Sequence, residues 1–292
     1  MDARADSIQT ILMDVRRGIN LLSPRIHSIL LIKNEEDVVE YCLREASKWS
    51  DFIYVYDGAS TDRTWEIVNS LRSKQIVPFK QDGQVFREGL RAEVFDAFRV
   101  HACEGDWWCQ LNGDEFYIDE PRVFLSEVKA TRHVVWGAMV QYYLTHQNVR
   151  ELDFSLPCER VLSELRYYNA NCTEPRFFRY RERLTWNRDK AWPDHLGVVE
   201  ERLIRFKHYP YRSPTQIQMR LNVRRDNRAR GFAGWAHASQ ESWREKLVSS
   251  DDLMFDAQDG TFEVAQSVLR QHLGRPHRRF LQSTMHSLGF WP

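Results

Sequence analysis

Two adjacent carboxylates stand at the end of a short apolar run and could bind a metal ion. The run Trp107–Leu111 predicts a buried strand, and the Asn112-Gly113 pair that follows it is typical of a turn. Asp114 and Glu115 come directly after this turn. Hard divalent cations prefer oxygen ligands and in turn bind phosphates. The stretch therefore predicts a metal site that could hold a diphosphate, although a plain surface turn after a buried strand could have the same sequence.

Polar clusters follow three of the predicted strands, at residues 33–35, 57–62 and 112–115. Because the carboxyl ends of parallel strands meet at one edge of a sheet, we expect these clusters to converge there despite their separation in the sequence. The first two clusters suit a nucleoside, and Asp57 could accept a hydrogen bond from a base.

The elements that must position these clusters alternate between strands and helices. Apolar runs predict strands at 26–32, 52–56 and 75–79, and apolar residues at helical spacing predict helices between them. This order is typical of a parallel sheet with right-handed crossovers. The second half of the chain has a weaker pattern, and residues 146–195 are so poorly periodic that we expect an irregular substrate loop there. Its predicted elements are strands at 134–144, 176–179 and 202–209 and helices at 121–129, from 214 onward and at 276–287.

Composition and charge exclude several classes of protein. The chain has 41 Lys and Arg and 41 Asp and Glu, so no global charge indicates nucleic-acid binding. It lacks a G-x-G-x-x-G or Walker A sequence, which argues against dinucleotide and P-loop chemistry. It also lacks a membrane-length apolar run, a signal-peptide core and a zinc-type cysteine spacing. We therefore expect a cytoplasmic protein.

The pattern predicts three parts. An amphipathic N-terminal helix is expected over residues 1–23, a nucleotide-sugar-binding and catalytic domain over 24–212, and a helical C-terminal region over 213–292.

Three motifs resemble those of family 2 glycosyltransferases, which have the GT-A fold. Residues 28–36 (SILLIKNEE) resemble the family's opening strand and Asn-Glu turn. Residues 56–64 (YDGASTDRT) resemble its Asp-Asp-Gly-Ser-Thr-Asp-Gly-Thr segment, and 110–116 (QLNGDEF) lie where the family has an Asp-x-Asp metal motif. Residues 207–213 resemble a His-Tyr element late in related bacterial enzymes. The resemblance is clear over roughly residues 25–120 and implies an α/β, Rossmann-like GT-A fold with a mostly parallel central sheet flanked by helices.

The resemblance also implies roles for single residues. Asp57 would contact the base of a nucleotide sugar. Asp114 would bind the Mn²⁺ or Mg²⁺ ion that bridges the diphosphate, with His208 as a further ligand. The full set of nucleotide-binding candidates is Lys33, Asn34, Glu35, Asp57, Arg91 and Asn112.

Two departures from the family pattern affect these roles. Asn112 replaces the first Asp of Asp-x-Asp, which removes one charge and could lower metal affinity. Gly58 replaces the second residue of the usual Asp-Asp pair.

An acceptor hydroxyl needs a carboxylate within hydrogen-bond reach to take its proton. The candidates for this base are Asp194, Glu174, Glu200 and Glu201. We favour Asp194, which lies in the turn Trp192-Pro193-Asp194-His195, although a turn residue or cap is its simpler interpretation.

The leading hypothesis is a metal-dependent, inverting glycosyltransferase that moves a sugar from a nucleotide-diphosphate donor to a glycan or lipid-linked acceptor. A sugar nucleotidyltransferase is an alternative, but it needs a Gly-rich basic loop where residues 33–36 read KNEE. A non-catalytic nucleotide- or glycan-binding module stays open because of Asn112. Basic C-terminal segments, at 220–230 and 275–279, could contact the inner face of an anionic membrane, and a solvated helix face is the simpler interpretation.

Overall fold

The computed structural model describes residues 23–232 and 240–292. The helix predicted over residues 1–23 lies outside these ranges except for its last residue. Within them, strands and helices alternate as predicted in the first half of the chain. The elements of this half are β1 (Ile26–Ile32), α1 (Val39–Ala46), β2 (Phe52–Asp57), α2 (Thr64–Ser70), β3 (Ile76–Gln81), α3 (Leu90–Phe98) and β4 (Trp107–Leu111).

The first four strands form a parallel sheet in the order β3-β2-β1-β4. This is the strand order of a Rossmann-type nucleotide-binding half. The carboxyl ends of β1, β2 and β4 therefore lie side by side, as predicted for the strands that precede the three polar clusters.

The second half of the chain extends this sheet through antiparallel and parallel pairs, in the order β4-β7-β6-β8-β5. A mixed α/β sheet flanked by helices results, which confirms the predicted fold class. The elements of this half are β5 (Glu115–Tyr117), α4 (Pro121–Ser126), β6 (Val134–Tyr142), α5 (His146–Glu151), α6 (Cys158–Glu164), β7 (Tyr167–Arg179), β8 (Val199–His208), α7 (Pro214–Ala229), β9 (Met254–Phe255) and α8 (Pro276–Ser287).

The prediction of an irregular stretch over residues 146–195 was wrong for much of its length. It contains α5, α6 and the 13-residue strand β7, of which only the last four residues were predicted as strand. The first part of β7 alternates poorly because several of its residues are exposed, and its pairing with β6 shifts register near Pro175. Only the stretch from 180 to 198 is irregular throughout.

The C-terminal region begins and ends with the predicted helices. The Ser213 hydroxyl caps α7 by accepting from the Gln216 backbone N–H, with Pro214 in the first turn. Between α7 and α8, the described residues form short 3₁₀ turns and β9, which pairs with β7. The prediction that the chain is helical from residue 214 onward was therefore wrong for this part of the region.

Alternate residues of the central strands enter two apolar layers, one on each face of the sheet. Val55 packs with α1 and α2 on one face, whereas Tyr54 packs with Phe95 and Trp108 on the other. Burial on both faces explains why these strands are apolar along their whole length. The strands whose carboxyl ends carry the polar clusters are therefore fixed by apolar packing on both faces of the sheet.

Gly137 on β6 provides a test of this packing. A Cβ atom there would lie 2.6 Å from Cε1 of the buried Phe206 ring and 2.9 Å from Cγ of Arg176. We expect Gly137→Ala to lower the free energy of unfolding by about 1–3 kcal/mol through overpacking, as measured by urea denaturation. Gly83→Ala is the control, since its Cβ would come no nearer than 3.8 Å to another group. Equal stability of the two variants would contradict the packing described here.

Candidate functional site

A cavity of about 440 Å³ opens at the carboxyl ends of the parallel strands. This volume is in the range of ligand sites. Of the residues proposed from the sequence, Lys33, Asn34, Glu35, Arg91, Asn112 and Asp114 line it. The ends of β1 and β4 are neighbours because these two strands pair directly.

The first two polar clusters are joined by hydrogen bonds across the sheet edge. The Asn34 backbone N–H donates to Ser60 Oγ at 2.8 Å, and Asn34 Oδ1 accepts from the Thr61 backbone N–H at 2.8 Å. Asn34 has a φ of 54°, in the left-handed region that Asn tolerates better than most residues. These contacts fix the turn that presents Lys33 and Glu35 to the cavity.

Asp57 does not line the cavity. Its carboxylate is buried and accepts from the Ser60 backbone N–H at 2.7 Å, from Ser60 Oγ at 2.6 Å and from Gln81 Nε2 at 3.1 Å. The side chain therefore shapes the turn after β2, and its predicted contact with a base stays a prediction.

Arg91 and Asn112 form a chain of hydrogen bonds that leads to the acidic pair. Arg91 Nη2 donates to Asn112 Oδ1 at 2.8 Å, and Asn112 Nδ2 donates to Glu115 Oε1 at 2.8 Å. Arg91 also forms an ion pair with Glu88. The Asn112 amide thus links a guanidinium to a carboxylate, which an aspartate at this position could not do.

Three side chains form a candidate metal centre, and one of them, Asp114, lines the cavity. Ligand atoms of Asp114, Glu115 and His208 lie within 4.8 Å of one another, and no other such group occurs among the residues that the structure describes. The register of β5 and β8 places Glu115 opposite His208, and the Tyr209 backbone N–H donates to the Asp114 carbonyl at 2.9 Å. Sheet pairing therefore brings a late histidine to the acidic turn.

Three arginines surround these carboxylates, two of them buried and Arg220 about a quarter exposed. Arg220 Nη1 donates to Asp114 Oδ2 at 2.8 Å, and Arg176 Nη2 lies 2.6 Å from Glu115 Oε1. Arg212 forms ion pairs with Glu35 and with Asp37. The sequence predicted no place in the site for these arginines, because residue type does not distinguish an arginine in a cavity from one on the surface.

These ion pairs form a charged network beside the cavity. They connect five carboxylates, those of Glu35, Asp37, Asp114, Glu115 and Glu174, with three guanidinium groups, those of Arg176, Arg212 and Arg220. Lys33 and Arg224 also line the cavity, so positive and negative side chains balance around it.

The pKa values reflect this environment. Burial favours protonation of Asp114, but the charges of His208 and Arg220 outweigh it and hold the pKa of Asp114 well below its ordinary value. Burial raises the pKa of Glu115, and the neighbouring Arg176 opposes that rise. Asp114 is therefore the member of the pair that is ionised over the widest pH range.

The donor set fits a divalent cation. Two carboxylates and one imidazole provide the ligand types that Mn²⁺ and, through oxygen, Mg²⁺ accept. Glu115 Oε2 is buried without a hydrogen-bond partner, so it is available as a ligand. Asp114 would exchange part of its contact with Arg220 for the cation.

The four candidate bases are not equivalent in the structure. Glu174, on β7, lines the cavity with a side chain that is 40% exposed and pairs with Arg176. Asp194 does not line the cavity and forms an ion pair with Lys190. The remaining two also lie outside the lining, where Glu200 pairs with Arg202 and Glu201 with Arg279.

Helix α7 forms one wall of the cavity. Its lining residues recur at helical spacing and are Gln216, Met219, Arg220, Val223, Arg224 and Asn227. Phe86 also lines the cavity and lies next to this helix, since its backbone N–H donates to Asn227 Oδ1 at 3.3 Å. Arg220 and Arg224, which the sequence placed in a basic surface patch, therefore face the cavity instead.

Comparisons with known proteins add little to this description. No protein-family model matches the sequence, and no curated protein matches it. Among solved structures, mannosyl-3-phosphoglycerate synthase from Rubrobacter xylanophilus aligns over 44% of this chain and 44% of that one, at 13% identity and a TM-score of 0.32. A 4-diphosphocytidyl-2C-methyl-D-erythritol synthase aligns over 54% of this chain and 76% of that one, at 13% identity and a TM-score of 0.34.

Proposed function

We propose that this protein is a metal-dependent glycosyltransferase that moves a sugar from a nucleotide-diphosphate donor to a glycan or lipid-linked acceptor. The observation that carries the proposal is that Asp114, the member of the candidate metal centre that lines the cavity, faces the same cavity as Arg220 and Arg224. A metal cation and guanidinium groups both stabilise the negative charge of a diphosphate as it leaves. The resemblance of the strand-end motifs to family 2 enzymes supports the same function.

The donor would lie along the strand ends. Lys33 and the turn it belongs to line the part of the cavity next to Gly58 and Tyr56, where a nucleoside fits. Arg91 and Arg220 lie beside Asn112 and Asp114, and guanidinium groups bind phosphate oxygens well. In this arrangement the anomeric carbon would lie beyond Asp114, toward β7.

Asp114, Glu115 and His208 would hold Mn²⁺ or Mg²⁺. The cation would neutralise the charge that develops on the diphosphate when the glycosidic bond breaks. Arg220 and the cation would compete for the Asp114 carboxylate. Arg220 would therefore donate to a phosphate oxygen instead of to Asp114 when the cation is bound.

Glu174 would act as the base. Its carboxylate lines the cavity and would take the proton of the acceptor hydroxyl while that oxygen attacks the anomeric carbon. Trp192 also lines this part of the cavity and offers an aromatic surface for a sugar. A single displacement from the face opposite the diphosphate would invert the anomeric configuration.

Ligand-induced stabilisation tests the proposal directly. We expect one nucleotide-diphosphate sugar of a panel to raise the melting temperature, and Mn²⁺ to increase the shift. A ligand at a concentration 100 times its Kd stabilises the folded state by about 2.7 kcal/mol, which such an experiment detects easily. A nucleotide shift that is independent of the metal, without turnover, would favour a non-catalytic binding module. No shift with any nucleotide would contradict the proposal.

A further inference from the structure

The C-terminal helix α8 is held to the protein by one side only. Arg279 Nη2 donates to Glu201 at 2.6 Å, and the His286 ring lies 4.8 Å from that of His133. These two residues lie on the same face of the helix. No residue of α8 is buried, on this face or on the opposite one.

Large apolar side chains occupy that opposite face and the residues after it. Phe280 is 75% exposed, Leu281 52% and Leu288 64%, and at helical spacing the three project in similar directions. Phe290, just beyond the helix, is 69% exposed. Single exposed apolar residues are ordinary, but four on one short segment mark an interaction surface.

The charge of the segment indicates what this surface contacts. Residues 264–292 contain no Asp or Glu and four arginines, although the whole chain has no net charge. Arg270, Arg275 and Arg278 are exposed. Two copies of this chain that met through the surface would bring like charges together, so its partner should be anionic.

The other basic segment of the C-terminal region does not share this surface. Arg220 and Arg224 of α7 line the cavity, so the anionic partner of α8 is separate from the ligand of the cavity. No helix among the described residues has both the length and the apolar character to cross a bilayer. A short helix with an apolar face and flanking arginines can instead lie in the plane of a membrane surface.

We propose that α8 docks on an anionic lipid bilayer. Phe280, Leu281, Leu288 and Phe290 would enter the boundary between headgroups and acyl chains. Arg275 and Arg278 would contact lipid phosphates. The proposal does not depend on the transferase activity, because it uses residues outside the cavity.

Vesicle co-sedimentation of the full chain tests the proposal. We expect binding to vesicles that contain phosphatidylglycerol and none to vesicles of phosphatidylcholine alone. The pair Phe280→Ser and Leu281→Ser should weaken binding at least about tenfold, because two apolar groups no longer enter the bilayer. The pair Arg275→Gln and Arg278→Gln should weaken it by about fivefold per arginine.

The matched control is the pair Arg44→Gln and Arg63→Gln, which removes the same charge from exposed positions on α1 and before α2. It should bind vesicles almost as the unchanged protein does. Equal binding to neutral and anionic vesicles, no binding to either, or full binding by the Phe280→Ser, Leu281→Ser protein would overturn the proposal. So would a dimer in sedimentation velocity that these two substitutions dissociate. An unchanged melting temperature shows that the variants are folded.

Discussion

Replacing Asp114 with asparagine is expected to lower kcat by about a thousandfold and to remove the stabilisation by Mn²⁺. The cation supplies several kcal/mol of charge stabilisation at the transition state, and each 1.4 kcal/mol is about a tenfold change in rate. Asparagine keeps the shape of the side chain and removes its charge. Turnover and the increment in melting temperature on adding Mn²⁺ would be measured with the same donor.

The Asp114 variant also loses an ion pair with Arg220, a side chain that is 24% exposed, so its own stability needs a control. Breaking a fully buried pair costs about 3–5 kcal/mol, and the exposure of Arg220 reduces that cost. His208→Gln removes a proposed ligand at a partly exposed position and should lose the Mn²⁺ increment with a smaller effect on folding. Asp119→Asn loses an ion pair with Arg205 outside the cavity and should keep full activity. Normal Mn²⁺ dependence in both site variants would remove Asp114 and His208 from the metal site.

The parallel half of the fold was predictable because its strands are buried on both faces. Ile26–Ile32 and Trp107–Leu111 have the predicted bounds, since an apolar run that ends in polar residues marks a strand and its carboxyl end at once. Topology then placed the clusters at one edge. This reasoning needed only local pattern and the geometry of parallel sheets.

The contacts between the two halves of the chain were not predictable in the same way. Arg212 and Glu35 form a partly buried ion pair although they are 177 positions apart, and no local pattern indicates that these two residues pair. The first part of β7 was missed as well, because exposed residues in the middle of the strand interrupt the alternation of apolar and polar side chains that predicts a strand. Sequence patterns therefore located one side of the cavity, whereas the arginines opposite it became visible only in the structure.

The arrangement of charges explains why the C-terminal region belongs with the site. Arg220 from α7 contacts Asp114, and Asn227 near the end of the same helix accepts a hydrogen bond from the Phe86 backbone N–H. A diphosphate beside these residues would contact both halves of the chain. We infer that donor binding strengthens the contact between α7 and the parallel sheet.

Two residues compete for the role of catalytic base: Asp194, which the sequence favoured, and Glu174, which lines the cavity in the structure. We expect Glu174→Gln to lower kcat by about 10²–10⁴-fold, because a positioned general base contributes about that much. Donor-induced stabilisation should be retained, since the amide keeps the size of the side chain and Glu174 is not among the proposed metal ligands.

Asp194→Asn is the matched control, because it removes a carboxylate from a turn next to the same cavity. Its carboxylate pairs with Lys190 and does not line the cavity, so the variant should keep its turnover. The reverse result, with a large loss for Asp194→Asn and none for Glu174→Gln, would return the base to the turn at Trp192-Pro193-Asp194. That result would require the turn to move toward the donor when the acceptor binds, since Trp192 already lines the cavity while Asp194 does not.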